Sequence, residues 1–162
     1  MPEQDAAREA LLREVAALRQ QSAPLALGGA LRELGEIERS LHGDAAGVAA
    51  YEEAVAVLRT VDAPLKLAHT VRHLADIYRH LHDYGRAEQC YDESLELYRN
   101  HSGTPPLDLA NALRGAALLH ESIGNARQAS QLWTEARALY RDAKIDVAVA
   151  EASRRLERLA QC

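Results

Sequence analysis

Phenylalanine is absent from this sequence, aromatic residues make up only 4% of its 162 positions, and methionine and tryptophan occur once each. Sheet proteins draw on aromatic and β-branched residues for their cores, so this shortage turns away from strands. Cysteine is scarce too. Cys90 and Cys162 are too few for a disulfide framework and wrongly spaced for zinc, and both read as free thiols. Basic residues are not in excess: the formal net charge of -5 lacks the footprint of a nucleic-acid binder. No apolar run approaches the roughly 18 residues of a membrane span. The opening Met-Pro-Glu-Gln-Asp has neither the basic nor the apolar part of a signal peptide, so a cytoplasmic location is expected.

Catalytic signatures are missing as well. There is no phosphate-cradling glycine loop, no nucleophile elbow and no His-Glu-x-x-His pair. Gly28-Gly29 opens a helical stretch beside no strand, so it is no part of a dinucleotide fingerprint. The acid pairs Glu52-Glu53 and Asp92-Glu93 read as solvated outer surface. A non-enzyme without a cofactor is the expectation.

What the chain has is Ala, Leu, Arg and Glu, which enter helices at little cost, and 48% apolar residues, enough for one buried core. It also repeats itself. A shift of 40 places sets Leu31 on Val71, Leu34 on Leu74, Gly35 on Ala75, Ile37 on Ile77, Leu41 on Leu81 and Tyr51 on Tyr91. A further shift of 42 carries Val71 to Leu113, Ala75 to Ala117, Ile77 to Leu119, Leu81 to Ile123 and Tyr91 to Trp133. In every copy a small residue is answered by another at a constant interval: Gly35 by Gly47, Ala75 by Ala87, Ala117 by Ala129. Small residues let two helix backbones approach closely, and the large ring four places later fills the space toward the next hairpin. Cys90 takes the place of Ala50 and Leu132, which makes it a small packing residue.

Turn signals divide the copies. His42-Gly43-Asp44, His82-Asp83-Tyr84-Gly85 and Gly124-Asn125 lie within hairpins, and Asp62-Ala63-Pro64 and Ser102-Gly103-Thr104-Pro105-Pro106 lie between them. One domain is expected, with an unpaired helix over 3–22, repeats over 25–61, 65–101 and 106–142, and a polar capping helix over 145–160. Val149, Ala152, Leu156 and Leu159 form the apolar stripe of that last helix, and Glu157 stands where a close-packed small residue would be.

These copies resemble the tetratricopeptide repeat family, best in the middle one, with Val71, Leu74, Ala75, Tyr78, Ala87, Tyr91 and Ser94. Glu38 and His120 depart from its first tyrosine, and the period is longer than the usual 34 or so residues. The length is similar to that of repeats in kinesin light chains and bacterial regulators. The resemblance implies an all-α fold, an antiparallel helix-hairpin solenoid with a right-handed superhelix of about eight helices. It further implies a protein or peptide ligand in a concave groove lined by first helices, beside the absence of nucleic acid and membrane expected from charge and hydropathy.

In that register an arginine follows each apolar anchor: Arg32, Arg72, Arg114 and, continuing the row, Arg154. Stacked guanidinium groups suit a carboxylate-rich peptide, whereas spacings such as Arg32 to Glu36 and Arg72 to Asp76 equally suit local neutralisation. Arg39, Arg79 and the inward Asn111 complete the candidate groove. His69, His73, Asp76 and His80 share one strip of a first helix, a pattern open to three readings: solvated groove, pH-sensitive surface, or metal ligands. Finally, the face of Leu11, Val15 and Leu18 on the lone N-terminal helix needs a cover, which a homodimer would provide.

Overall fold

The computed structural model describes residues 2–161, with side chains from residue 3; Cys162 lies outside the described residues. Within them the chain is all-helical, with eight helices and no strand: α1 (Pro2–Gln20), α2 (Pro24–His42), α3 (Asp44–Leu58), α4 (Pro64–His80), α5 (Tyr84–Asn100), α6 (Pro106–Ser122), α7 (Ala126–Asp142) and α8 (Asp146–Leu159). The expected fold class is the one observed.

Local chemistry sets the ends. Each hairpin's first helix starts on a proline, Pro24, Pro64 or Pro106, where a missing N–H costs nothing. The second helices α5 and α7 start on a side-chain cap: Asp83 accepts from the Arg86 amide and Asn125 from the Gln128 amide, both at 3.2 Å, whereas α3 starts after Gly43 without one. Between them the chain turns through a left-handed residue at register-equivalent places, His82 (φ 61°) and Gly124 (φ 77°). α3 stops at Leu58, where the Thr60 hydroxyl donates to the Val57 carbonyl at 2.7 Å.

The hairpins are α2–α3, α4–α5 and α6–α7, joined by packing of α3 on α4 and α5 on α6. α4 and α6 also touch each other, whereas α3 and α5, or α5 and α7, make no comparable contact among the described residues. The close approach of successive first helices is confined to α4 and α6; α2 and α4, and α6 and α8, make no comparable contact among the described residues. Tyr51 (0% exposed), Tyr91 (1%) and Trp133 (0%) occupy matching buried places. Each donates to an acid on its own first helix: Tyr51 to Glu36 at 3.0 Å, Tyr91 to Asp76, and Trp133 Nε1 to Glu121 at 2.6 Å. The crossing of α2 and α3 is tight: a Cβ on Gly47 would stand 2.7 Å from the Gly35 carbonyl oxygen.

At the N-terminal end, α1 lays Leu11, Val15 and Leu18 onto a cluster with Leu27, Leu31, Leu34 and Ala54. The face that motivated a homodimer is covered within the chain, by the very helices that follow it. At the other end, α8 packs on α7 through buried Ala152 with Val149, Leu156 and Leu159, and leaves Glu157 exposed.

The acid pairs of the second helices are not merely solvated. Arg19 holds Glu53 at 2.7 Å, Arg59 holds Glu93 at 2.6 Å and Arg99 holds Glu135 at 2.7 Å, each joining one second-type helix to the next. Glu52 accepts from the Tyr78 hydroxyl.

Candidate functional site

The four arginines stand one per helix, Arg32 on α2, Arg72 on α4, Arg114 on α6 and Arg154 on α8. Arg32 and Arg72 both act electrostatically on His69 and His73, Arg114 acts on Asp76, and Arg154 acts on Glu151. Their engagement differs. Arg72 donates to Asp76 at 3.0 Å with its side chain only 14% exposed, and Arg114 grips Glu151 with two bonds of 2.8 and 2.9 Å. Arg32 stands 3.6 Å from Glu33, not against Glu36, because Glu36 is taken by Tyr51 and by Arg39 at 3.0 Å. Arg154 is exposed and, among the described residues, makes no hydrogen bond or ion pair.

The remaining groove candidates are largely occupied. Arg39 also holds Asp44 at 2.9 Å, and its stem lies against Gly47. Arg79 bonds the Tyr91 hydroxyl at 3.3 Å, and the Asn111 amide oxygen accepts from Tyr140 at 2.8 Å. These residues brace the hairpins.

The histidine strip splits in two. His69 and His73 meet, Nε2 to Nε2 at 3.1 Å, with Arg72 Nη2 at 2.6 Å from the same His73 nitrogen. Burial, and then the Arg72 charge, drives the His73 pKa down to about 3, and His69 moves the same way for the same reasons. Asp76 is committed to Tyr91 and Arg72, and His80 turns away to Asp44 at 3.2 Å. No group of three His, Cys, Asp or Glu is placed to hold a metal among the described residues. Burial also pushes the half-buried Cys90 thiol up to about 11, so it is poorly nucleophilic.

Two features escaped the sequence reading. The repeat shift that aligns the arginines also aligns Leu25, Leu65, Leu107 and Val147, two helical turns earlier on the same helix faces. Leu25 (45% exposed), Leu107 (40%) and Val147 (83%) are among the most exposed large apolar residues, whereas Leu65 is half-buried against the core, so the apolar row is interrupted at the second copy. A cleft of about 380 Å³ opens between the starts of α2 and α4, lined by Gly28, Gly29, Arg32, Leu58, Lys66 and His69 among others. Lys66, the cation that joins Arg32 there, has no counterpart in the other copies and so left no periodic signal.

The family model described as Tetratricopeptide repeat matches residues 65–142. No curated protein matches the chain. Among solved structures, the crystal structure of BtubC (BKLC) from P. vanneervenii superposes with a TM-score of 0.78 at 17% identity, over 88% of this chain and 59% of that one. At that identity the likeness speaks for the fold alone, and the chain spans about three-fifths of that protein's length.

Proposed function

Since the chain carries tetratricopeptide repeats over residues 65–142, and such repeats generally mediate protein–protein interaction, we propose that it is a binding module, not an enzyme, taking an acidic peptide or helix along its inner wall. The observation that supports this is the arginine that recurs once per copy, with aliphatics two turns earlier that are exposed at Leu25, Leu107 and Val147. An acidic segment with interspersed apolar residues complements both. The internal pairing of Arg72 and Arg114 sets where the ligand's charge is felt most. Those two already hold carboxylates at hydrogen-bond distance, so the less engaged positive charge sits with Arg32, whose contact with Glu33 is 3.6 Å, and Lys66 at one end and Arg154 at the other.

The test is selection of a random peptide library on the immobilised protein, followed by titration of the selected peptides. Enrichment of Asp and Glu is expected, with affinity falling as salt rises. The Arg32→Ala/Arg154→Ala double variant should bind on the order of tenfold more weakly, about 1.4 kcal/mol, while Arg39→Ala leaves affinity unchanged. Selected peptides without acidic bias, or equal affinity for the double variant, would remove the reading.

A further inference from the structure

The three hairpins keep one register, and at a single buried place they differ in kind. The shift that sets Tyr51 on Tyr91 and Trp133 sets Leu58 on Tyr98 and Tyr140. It also sets Gly29 on His69 and Asn111.

In the second and third copies a tyrosine ring fills the gap between successive first helices. Tyr98 is 1% exposed and lies within the fields of Asp108 and Arg72; Tyr140 is 2% exposed, and its hydroxyl donates to Asn111. The register mates of Arg72 and Asp108 are Arg32 and Lys66, which, with Leu58 and the two glycines, line the cleft between α2 and α4. The cleft is thus the first hairpin's edition of the tyrosine place, with the ring cut back to leucine and the neighbouring side chain removed.

We propose that this cleft binds a phenol ring supplied by a ligand, the ring seated against Leu58 and Leu65 and the hydroxyl directed to the His69 and Asp108 side. Room is sufficient: a dry cavity of about 150 Å³ admits benzene, and this cleft measures about 380 Å³. Arg32 and Lys66 offer cations to the ring face, and Asp108 and His69 offer hydrogen-bond partners to the hydroxyl. Nothing lies within 4 Å of a Cβ built on Gly29, so that edge of the cleft is open. The ring can come from a tyrosine in a peptide or from a free small phenol. The site shares Arg32 with the arginine row but requires no acidic peptide.

Amide spectra recorded while titrating p-cresol, N-acetyl-tyrosinamide and N-acetyl-leucinamide decide it. Saturable shifts centred on Gly28, Gly29, His69 and Thr70 are expected for p-cresol, with a Kd of roughly 1 mM for so small a ligand. N-acetyl-tyrosinamide binding as tightly or tighter points to a peptide source, and its failure beside p-cresol success points to a free phenol; either supports the site. Leu58→Tyr, which restores the ring of the other copies, should weaken p-cresol by at least about tenfold and raise the thermal midpoint, since it fills the gap. Gly29→Asn, placed in open space, should weaken it too without disturbing the fold. Arg154→Ala should leave p-cresol binding intact while weakening acidic peptides, which separates this site from the groove. The proposal is overturned by no saturation up to about 10 mM, by equal binding of the leucine amide, or by unchanged binding in both cleft variants.

Discussion

His73 shows how an exposed-looking strip becomes an interior. Its helical neighbours His69 and Arg72 were visible from spacing; the Tyr51 ring, 6.2 Å away on another helix, was not. Burial above all, and then Arg72, His69, Arg32 and Arg39, oppose a charge on the folded ring, which resists protonation down to about 3. An unfolded histidine titrates near 6.5, so between those values the unfolded state binds more protons and acid removes stability. Above about 6.5 both states are neutral and the contribution is flat. Denaturant melts of wild type and His73→Gln from pH 7.5 to 4.5 should diverge, the wild type losing up to roughly 1.4 kcal/mol per pH unit more than the variant. Parallel curves would mean that the ring is not held neutral. Glycine gives the second residue-scale test. A methyl at Gly47 meets the Gly35 carbonyl oxygen, which belongs to a helix backbone and cannot swing aside. Gly47→Ala should therefore cost about 1–3 kcal/mol despite its better helix propensity. Gly29→Ala, in open space, should be neutral or stabilising.

At the scale of elements, helix type, order and the buried ring of each hairpin were legible, because periodicity and proline starts act within a single helix. Side-chain destinations were not, because they depend on the neighbouring helix. Glu36 was paired with Arg32 by spacing alone, yet Tyr51 arrives from α3 and claims it. The back ladder escaped for the same reason, although Arg19, Arg59 and Arg99 recur at the repeat interval with Glu53, Glu93 and Glu135 opposite them. Its rungs are half in water, with Arg59 54% and Glu93 31% exposed, so each aligns successive second helices more than it stabilises them. A double-mutant cycle on Arg59→Ala and Glu93→Ala should return a coupling of about 0.2–1 kcal/mol that shrinks in high salt. A coupling insensitive to salt would place the pair in a drier setting than its exposure indicates.

Across the whole molecule, α1 is a second-type helix without a first, and α8 a first-type helix without a second. Copies could join end to end if α1 of one completed the hairpin of another. The register opposes it. After Arg19, Arg59 and Arg99, the next arginine of the back ladder is Arg141, exposed and without a hydrogen bond or ion pair among the described residues. The α1 residue in register with Glu53 is Arg13, so joining would set guanidinium against guanidinium where every internal junction sets it against a carboxylate. Glu157 would also fall at the close crossing that Gly35, Ala75 and Ala117 make elsewhere, burying a charge without a partner. With the α1 face already covered by α2 and α3, one chain should be the stable unit. Light scattering over a hundredfold range of concentration, on the order of 10 µM to 1 mM, should give a constant mass of one chain. The Arg13→Glu/Glu157→Ala variant, which removes both conflicts, should instead grow in mass with concentration. Association of the wild type, or a variant that stays monomeric, would show that these charges do not oppose end-to-end joining.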